Sequence, residues 1–144
     1  MPWVKGAAVS KHFKSAPCYA LFSEYLKRLS HFASAEGFGI DLKKQEPGRP
    51  VRWFCHFSEE SKAFSSEELA KAVERMRRDG VREWEIVIGP ADGFKKDDLG
   101  AWRPDVLWSF GPMTLTHEMA SVIAAEQVYR AFTILANQPY HIGH

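Results

Sequence analysis

The stretch VRWFCHF (residues 51–57) decides the fold class, because both of its faces are apolar. Alternate side chains of a β-strand share a face, so Trp53 and Cys55 point to one side and Phe54 to the other. A strand that is apolar on both sides is typical of the centre of a sheet that is covered on both faces. We therefore predict a central strand over residues 51–57.

The segments on either side of this strand alternate between helix and strand patterns. Ser65 and Glu68 form a capping-box pattern ahead of a helix predicted over residues 66–79, and Gly80 follows as its stop. Two further strands are predicted in EWEIVIG (residues 83–89) and PDVLWSF (residues 104–110), and a long helix follows. This alternation predicts an α/β fold, a three-layer sandwich around a mostly parallel sheet.

Composition predicts one soluble domain spanning residues 1–144. The chain is 45% hydrophobic, a content that suits a single core, and its formal net charge of +1 does not indicate a nucleic-acid binder. No run of about 18 apolar residues is present, so we expect a cytoplasmic protein. Its two cysteines, Cys18 and Cys55, are expected to be reduced thiols.

Three loops are expected to lie together at one edge of the sheet. In an open α/β sheet, ligands bind beyond the carboxyl ends of the parallel strands. The loops in those positions are residues 58–61, 89–94 and 111–116. The second of them lacks both glycine-rich phosphate-binding patterns, which argues against a Rossmann dinucleotide site or a nucleoside triphosphate site.

The C-terminal stretch NQPYHIGH (residues 137–144) follows the last predicted helix, over residues 118–137, and is rich in functional residue types. His141 and His144 supply only half of a metal site, and the sequence offers no convincing third ligand, so no metal is predicted. In the preceding helix, Glu126 and Arg130 bring polar groups into an otherwise apolar segment. From spacing alone, that cluster is either a partly exposed helix face or part of a site.

Three segments of the chain resemble one known family. They are IVIGPADGF (residues 86–94), WSFGPMTLTHEM (residues 108–119) and AAEQVYRAFTILANQPYH (residues 124–141). They are similar to the carboxyl half of the ribosomal RNA large subunit methyltransferase H family, which belongs to the SPOUT class. The resemblance is specific over residues 83–141 and weaker before them. It implies a methyltransferase that acts on N3 of a pseudouridine in large-subunit (23S) rRNA.

The resemblance also implies a fold, a cofactor and a partner. The implied fold is an α/β knot, a deep trefoil in the C-terminal half, which is a rare exception to the rule that chains do not thread loops. The implied cofactor is S-adenosyl-L-methionine, and the implied active unit is a homodimer that acts on large-subunit rRNA or the ribosome, without a membrane or a metal. Carried over by position, the implied cofactor-binding residues are Phe57, Ser58, Gly89, Pro90, Gly111, Pro112, Met113, Thr114, Leu115 and Thr116.

The implied catalytic residues lie in the last helix and the tail. His141 is expected to act as the base for the acceptor nitrogen or to position the substrate, since a neutral imidazole can accept a proton near pH 7. Tyr140 is expected to stack on a base. Arg130 is expected to hold a phosphate or the dimer partner.

The sequence departs from the family pattern at several positions. Pro90 stands where a second glycine is usual, and it removes a backbone N–H donor. Only eight residues separate Leu42 from Val51, where the family inserts a helix, and Ile142 stands where an arginine follows the tail histidine. Two alternatives therefore stay open: a divergent knotted methyltransferase with another acceptor, and a non-catalytic dimeric protein that binds cofactor or RNA.

Overall fold

A computed structural model of the protein describes residues 13–36, 39–41, 51–55, 58–81, 83–88 and 104–142. Within these residues the chain forms three helices and six strands. In chain order they are α1 (Ala16–Leu29), β1 (Ser34–Glu36), β2 (Gly39–Asp41), β3 (Val51–Cys55), β4 (Lys62–Ala63), α2 (Ser66–Arg78), β5 (Glu83–Ile88), β6 (Val106–Ser109) and α3 (His117–Leu135).

The described strands form one sheet in the order β1-β2-β5-β3-β6-β4. The four strands β5, β3, β6 and β4 run parallel to one another. On the β5 side the sheet continues with β2, antiparallel to β5, and then β1, antiparallel to β2. The prediction of a mostly parallel α/β sheet is confirmed, and so is the central position of the predicted strand over residues 51–55, because β3 lies between β5 and β6. Residues 56 and 57 of that prediction lie outside the described part of the chain. The short strand β4 was not predicted.

Three tryptophans cover the sheet face that meets the helices. Trp53 pairs in register with Ile86, and its ring packs edge-on against Trp84 and Trp108, with centroid distances of 5.1 and 5.6 Å. These rings belong to one hydrophobic core cluster with residues of all three helices. Large aromatic rings bury much apolar area, so this layer supplies a large share of the fold's stabilisation.

The opposite sheet face is buried as well. Phe54 is 1% exposed, and Val87, its register partner on β5, is 6% exposed. On the same face, Arg52 Nε donates to Glu85 Oε2 over 3.0 Å. Burial raises the pKa of the Glu85 carboxyl, and the hydrogen bond from Arg52 acts in the opposite direction. The prediction that both faces of this strand are covered is therefore confirmed.

Helix α3 packs against both α1 and α2 and is buried over much of its length. Small residues allow this close approach, since Ala124, Ala125 and Ala131 are 0% exposed. Its first turn also contacts the start of α1, because Glu118 Oε1 accepts hydrogen bonds from the backbone N–H groups of Lys14 and Ser15 at 2.7 and 2.9 Å.

The ends of the helices follow the predicted capping chemistry, with one correction. The capping box of α2 is present, with Ser65 N donating to the Glu68 carboxylate over 2.9 Å and Glu68 N donating to Ser65 Oγ over 3.0 Å. Helix α3 ends at Leu135, two residues before the predicted end. Asn137 adopts a left-handed conformation (φ 56°) and Gln138 N donates to Thr133 O, a Schellman-type turn that reverses the chain.

Several predictions fall on residues outside those that the structure describes. The apolar stretch at residues 3–9 predicts a first strand, and the pattern PADGFKKDDLG predicts a turn with a short helix over residues 90–100. The third layer and the knot also stay predictions. The two cysteines are free thiols, and no described helix has the length and apolar content needed to cross a bilayer.

Two leucines of α1 provide a matched test of this core. Leu29 is 0% exposed and Leu21 is 48% exposed. Leu29→Ala should lower the free energy of unfolding by about 2–5 kcal/mol, because it leaves a cavity beneath the sheet. Leu21→Ala should change it by less than about 1 kcal/mol. Urea unfolding followed by tryptophan fluorescence measures both values, and equal losses would contradict this packing.

Candidate active site

The loops predicted to bind the cofactor follow the carboxyl ends of β3, β5 and β6. Because these strands are parallel neighbours, their carboxyl ends meet at the same edge of the sheet. Ser58 and residues 111–116 lie within the described part of the chain. Phe57, Gly89 and Pro90 lie outside it.

The loop after β6 has an open side next to Gly111. Gly111 has φ 102°, and a Cβ built on it would meet no atom of the described residues within 4 Å. Ser109 fixes the start of the loop, since its Oγ accepts from Gly111 N over 3.0 Å. Beyond this point, Pro112, Met113 and Thr114 are exposed. The loop therefore presents backbone and side chains to an open region at the predicted edge.

The last two residues of this loop, Leu115 and Thr116, have structural roles. Leu115 is half-buried, and Thr116 Oγ1 accepts from Met119 N over 3.2 Å as the cap of α3. The side chain of Thr116 thus has a structural partner already. Its carbonyl oxygen also accepts from Ala120 N over 2.9 Å, which leaves its backbone N–H for any ligand contact.

Ser58 lies in a compact turn between β3 and β4. Its backbone N–H donates to Ser61 Oγ over 2.9 Å, and Ser61 Oγ donates to Ser58 O over 2.7 Å. This closed turn leads directly into β4, which pairs with β6 through Lys62 and Trp108. The turn at Ser58 and the loop at Gly111 are therefore tied to adjoining strands of one sheet.

Tyr140 holds the tail, the residues after α3 that the structure describes (136–142), against α1 and α3. Its hydroxyl hydrogen-bonds with Tyr25 of α1, and its ring packs edge-on against Tyr129 of α3 with centroids 4.8 Å apart. The guanidinium of Arg130 lies 5.0 Å from the centre of the Tyr140 ring. Burial raises the pKa of Tyr140 above its ordinary range, and the hydrogen bond with Tyr25 raises it further.

His141 connects the tail to α2 and α3. Its Nδ1 lies 3.0 Å from Arg130 Nη1, and its Nε2 lies 2.7 Å from Glu67 Oε1. A guanidinium only donates hydrogen bonds, so Nδ1 must accept from Arg130 and Nε2 must carry the ring proton that is donated to Glu67. The predicted catalytic residues His141, Tyr140 and Arg130 are thus in mutual contact.

Arg130 is held in place by Glu126, one turn earlier on α3. Nε and Nη2 of the guanidinium both contact Glu126 Oε1, at 2.9 and 2.7 Å, and the two side chains are 11% and 16% exposed. The hydrogen bond that Arg130 donates to Glu126 raises the pKa of Arg130 above its usual value. Because Glu126 takes one edge of the guanidinium, Nη1 is the nitrogen that reaches His141.

Sequence reasoning missed Glu67. Its neighbour Glu68 was identified through the capping box, but nothing in the local pattern of SSEELA (residues 65–70) links residue 67 to a histidine 74 positions later. The hydrogen bond with His141 helps to lower the pKa of the Glu67 carboxyl, after the larger effect of its own backbone N–H. The helix start that carries Glu67 is also joined to α3, since Ser66 Oγ donates to Gln127 Oε1 over 2.7 Å.

The tail and the loop edge are connected through the start of α2. Strand β4 runs parallel to β6, which ends at Ser109 immediately before the Gly111 loop. Helix α2 begins at Ser66, three residues after β4, and its first turn holds His141 through Glu67. The same short segment, residues 62–67, thus contacts both the β6 strand and the tail.

The raised pKa of Tyr140 predicts a loss of stability at high pH. The unfolded phenol ionises near pH ~10, whereas the folded one keeps its proton to a higher pH. The contribution of the Tyr140 phenol to the free energy of unfolding is therefore complete below about pH 10, and it is lost as the pH rises towards the folded pKa. Between about pH 8 and pH 11, wild type should lose more unfolding free energy than Tyr140→Phe in urea titrations. Equal losses would contradict the buried position of this hydroxyl.

Comparison with known proteins identifies the family. A family model described as "Predicted SPOUT methyltransferase" matches residues 6–141. The chain is 41% identical to the ribosomal RNA large subunit methyltransferase H of Koribacter versatilis, over 91% of this chain and 92% of that protein. It is 43% identical to the protein of the same name from Maricaulis maris, over 89% and 92%.

A third relative agrees with these two. The ribosomal RNA large subunit methyltransferase H of Xanthomonas oryzae pv. oryzae is 35% identical, over 83% of this chain and 86% of that protein. The family model and the relatives each cover most of the chain. The residues that the family model matches include α1, which precedes the part in which the sequence resemblance is specific. The resemblance inferred from residues 83–141 is confirmed: the chain belongs to the SPOUT methyltransferases, in the ribosomal RNA large subunit methyltransferase H family.

Proposed function

We propose that this protein is an S-adenosylmethionine-dependent methyltransferase that methylates N3 of a pseudouridine in large-subunit rRNA. The names of the relatives support rRNA as the substrate class. The observation that carries the proposal for this chain is the cluster of His141, Arg130 and Tyr140 beside the start of α2. It joins a proton acceptor, a phosphate-binding cation and an aromatic ring in one place.

The loop after β6 has the properties needed to hold the cofactor. Among the described residues, Gly111 leaves open space at the carboxyl edge of the sheet, so a ligand can approach its backbone closely. Ser109 holds the entry of that loop, and the turn at Ser58 lies on the neighbouring strand connection. S-adenosylmethionine supplies, when bound, a methyl group on a positively charged sulfur. Phe57, Gly89 and Pro90 complete the proposed site by their position in the sequence.

The chain's own contribution to the reaction is orientation and one proton transfer. An imino nitrogen becomes a good nucleophile only when its proton is removed. We assign that role to Nδ1 of His141, the ring nitrogen that accepts from Arg130. Nδ1 must therefore exchange the Arg130 donor for the N3–H of the acceptor base.

Arg130 is suited to make that exchange. Its Nε and Nη2 stay anchored on Glu126, while Nη1 is free to pivot from His141 to an RNA phosphate. A charge-assisted contact between Nη1 and the phosphate would replace the hydrogen bond from Nη1 to His141 Nδ1. One movement of Arg130 thus binds the RNA backbone and releases Nδ1 of His141 to accept a proton.

The role of Tyr140 follows from its neighbours. Arg130 lies over the ring and Tyr129 contacts it edge-on, so stacking on a substrate base requires the ring to leave Arg130 or to use its other face. We propose that Tyr140 chiefly supports Arg130 in the free protein. Cation–π contact with a ring stabilises a guanidinium by about 0.5–2 kcal/mol, which is enough to favour one rotamer.

The wider family features belong to the same proposal. We propose that residues 1–144 act as one knotted domain in the cytoplasm, where rRNA is made and modified, and that two copies form the active unit. Exposed apolar side chains support a second copy: Tyr19 and Met119 are 42% and 41% exposed. Cys18 Sγ lies 3.7 Å from Met119 Sδ, so these side chains lie where α1 and α3 begin.

One observation favours a second candidate, a methyltransferase with another acceptor. Ile142 is 85% exposed at the position where the family pattern has an arginine. An exposed isoleucine cannot donate to phosphate, so this tail binds RNA with one cation fewer. A smaller or less charged acceptor would tolerate that change.

The function is tested by mapping modifications of large-subunit rRNA from cells that lack the gene. One N3-methylpseudouridine should be absent, and the wild-type gene should restore it. His141→Ala should reduce restoration by about 100-fold or more in initial rate, because a positioned base contributes roughly 10²–10⁴. His31→Ala, an exposed histidine after α1, is the matched control and should restore fully.

Two outcomes would contradict these assignments separately. If the pseudouridine stays methylated without the gene, the proposed substrate is wrong. If the gene is required but His141→Ala restores methylation at the wild-type rate, the role of His141 is wrong.

The dimer is tested by light scattering on the purified protein. Wild type should have twice the chain mass of 16.4 kDa. Met119→Lys should shift the mass towards that of one chain, since it puts a charge into an apolar contact, while Glu74→Lys on the exposed side of α2 should not. A wild-type mass of a single chain would contradict the dimer.

A further inference from the structure

We propose that Glu67 is a positioning residue for the methyl transfer: it fixes the tautomer and orientation of His141 so that Nδ1 receives the proton of the acceptor base. This inference rests on the proposed function. It adds a residue from α2 to a site whose other members lie on α3 and in the tail.

The hydrogen bonds around His141 allow one neutral tautomer only. Arg130 Nη1 can only donate, so the lone pair must be on Nδ1, 3.0 Å away. Glu67 Oε1, an acceptor at 2.7 Å, then requires the proton on Nε2. If the ring proton were on Nδ1, this N–H donor would face the Arg130 donor, and the Nε2 lone pair would face the Glu67 carboxylate. Arg130 and Glu67 therefore select together the nitrogen that remains basic, and in the proposed reaction Glu67 is the partner that still holds the ring after Arg130 has moved to a phosphate.

The backbone that carries Glu67 is held on two sides. Ser65 and Glu68 close the capping box around the first turn of α2. Ser66 Oγ donates to Gln127 Oε1 of α3 over 2.7 Å, which fixes that turn against the helix that bears Arg130. A carboxylate on a fixed turn can hold an imidazole in one orientation even when it is itself 60% exposed.

The chemical step balances with this assignment. The N3–H bond of the acceptor breaks, its proton goes to Nδ1, and its electron pair forms the new N3–methyl bond. The methyl–sulfur bond breaks at the same time, and its electron pair stays on the sulfur, which becomes neutral. His141 is then an imidazolium, whose charge is stabilised by the Glu67 carboxylate at Nε2.

The charged and titratable groups that face His141 come from each neighbouring element. Glu67 lies on α2, Arg130 and Glu126 lie on α3, Tyr140 precedes it in the tail, and Tyr25 reaches Tyr140 from α1. Arg130 opposes a positive charge on the ring, and Glu126 is engaged with Arg130. Glu67 is thus the carboxylate in direct contact that favours the protonated ring.

Two substitutions at Glu67 separate orientation from charge. Glu67→Ala removes the acceptor, so kcat for rRNA methylation should fall about tenfold or more, while S-adenosylmethionine binding by calorimetry stays unchanged. Glu67→Gln keeps an acceptor and should retain most of kcat. Because its amide oxygen still accepts from Nε2–H, this variant separates the orientation of the ring from the charge at position 67. Glu74→Gln, an exposed residue of the same helix, is the charge-matched control and should resemble wild type.

The tautomer itself is read from ¹⁵N chemical shifts of His141 in the free protein. Wild type and Glu67→Gln should show the ring proton on Nε2. Glu67→Ala should show a mixture of tautomers, because the remaining partner, Arg130 Nη1, can pivot away from a ring that Glu67 no longer holds. A single Nε2–H tautomer in Glu67→Ala, with wild-type kcat, would overturn the proposal. If wild type methylates no rRNA, the proposed function fails, and the ¹⁵N shifts still decide whether Glu67 fixes the ring.

Discussion

Burial of α3 between α1 and α2 is the constraint on which the site depends. Alanines at positions 124, 125 and 131 are fully buried and let the neighbouring helices approach closely. Glu126, Arg130 and Tyr129 interrupt this apolar surface, and each finds a partner on another element or within its own turn. Polar groups on a buried helix are costly unless they are paired, so the packing of α3 and the pairing of its polar side chains must form together.

The tail completes that pairing because the chain reverses at the end of α3. Asn137 takes the left-handed conformation that ends the helix, and the next residues turn back over it. Tyr140 then contacts α1 and α3, and His141 contacts α3 and α2. A five-residue segment therefore joins all three helices of the described fold. In the proposed function, the same contacts hold the proton acceptor and the phosphate-binding arginine in a single arrangement.

Local sequence was sufficient where short-range chemistry decides the structure. The central strand was evident from alternating apolar residues around Trp53, and the start of α2 was evident from Ser65 and Glu68, three positions apart. Glu67 was missed because its partner lies 74 residues away, and a contact of that span leaves no periodic signal. The end of α3 was misplaced by two residues, since an asparagine at a left-handed position resembles a continuing helix until the turn is seen. The site residues were inferred from family resemblance, and their mutual contacts came only from the fold.

The central claim is that the tail is the working end of a methyltransferase and not only a fastening for the helices. Removal of the residues after Pro139 tests it most directly, with transfer of labelled methyl from S-adenosylmethionine to large ribosomal subunits as the measurement. Circular dichroism and cofactor calorimetry on the same samples report whether the fold and the cofactor site survive. We expect a truncated chain that keeps its helices and binds the cofactor but transfers methyl at least about 100-fold more slowly, as expected for loss of a positioned base. A folded truncated chain that transfers methyl at the wild-type rate would contradict the account.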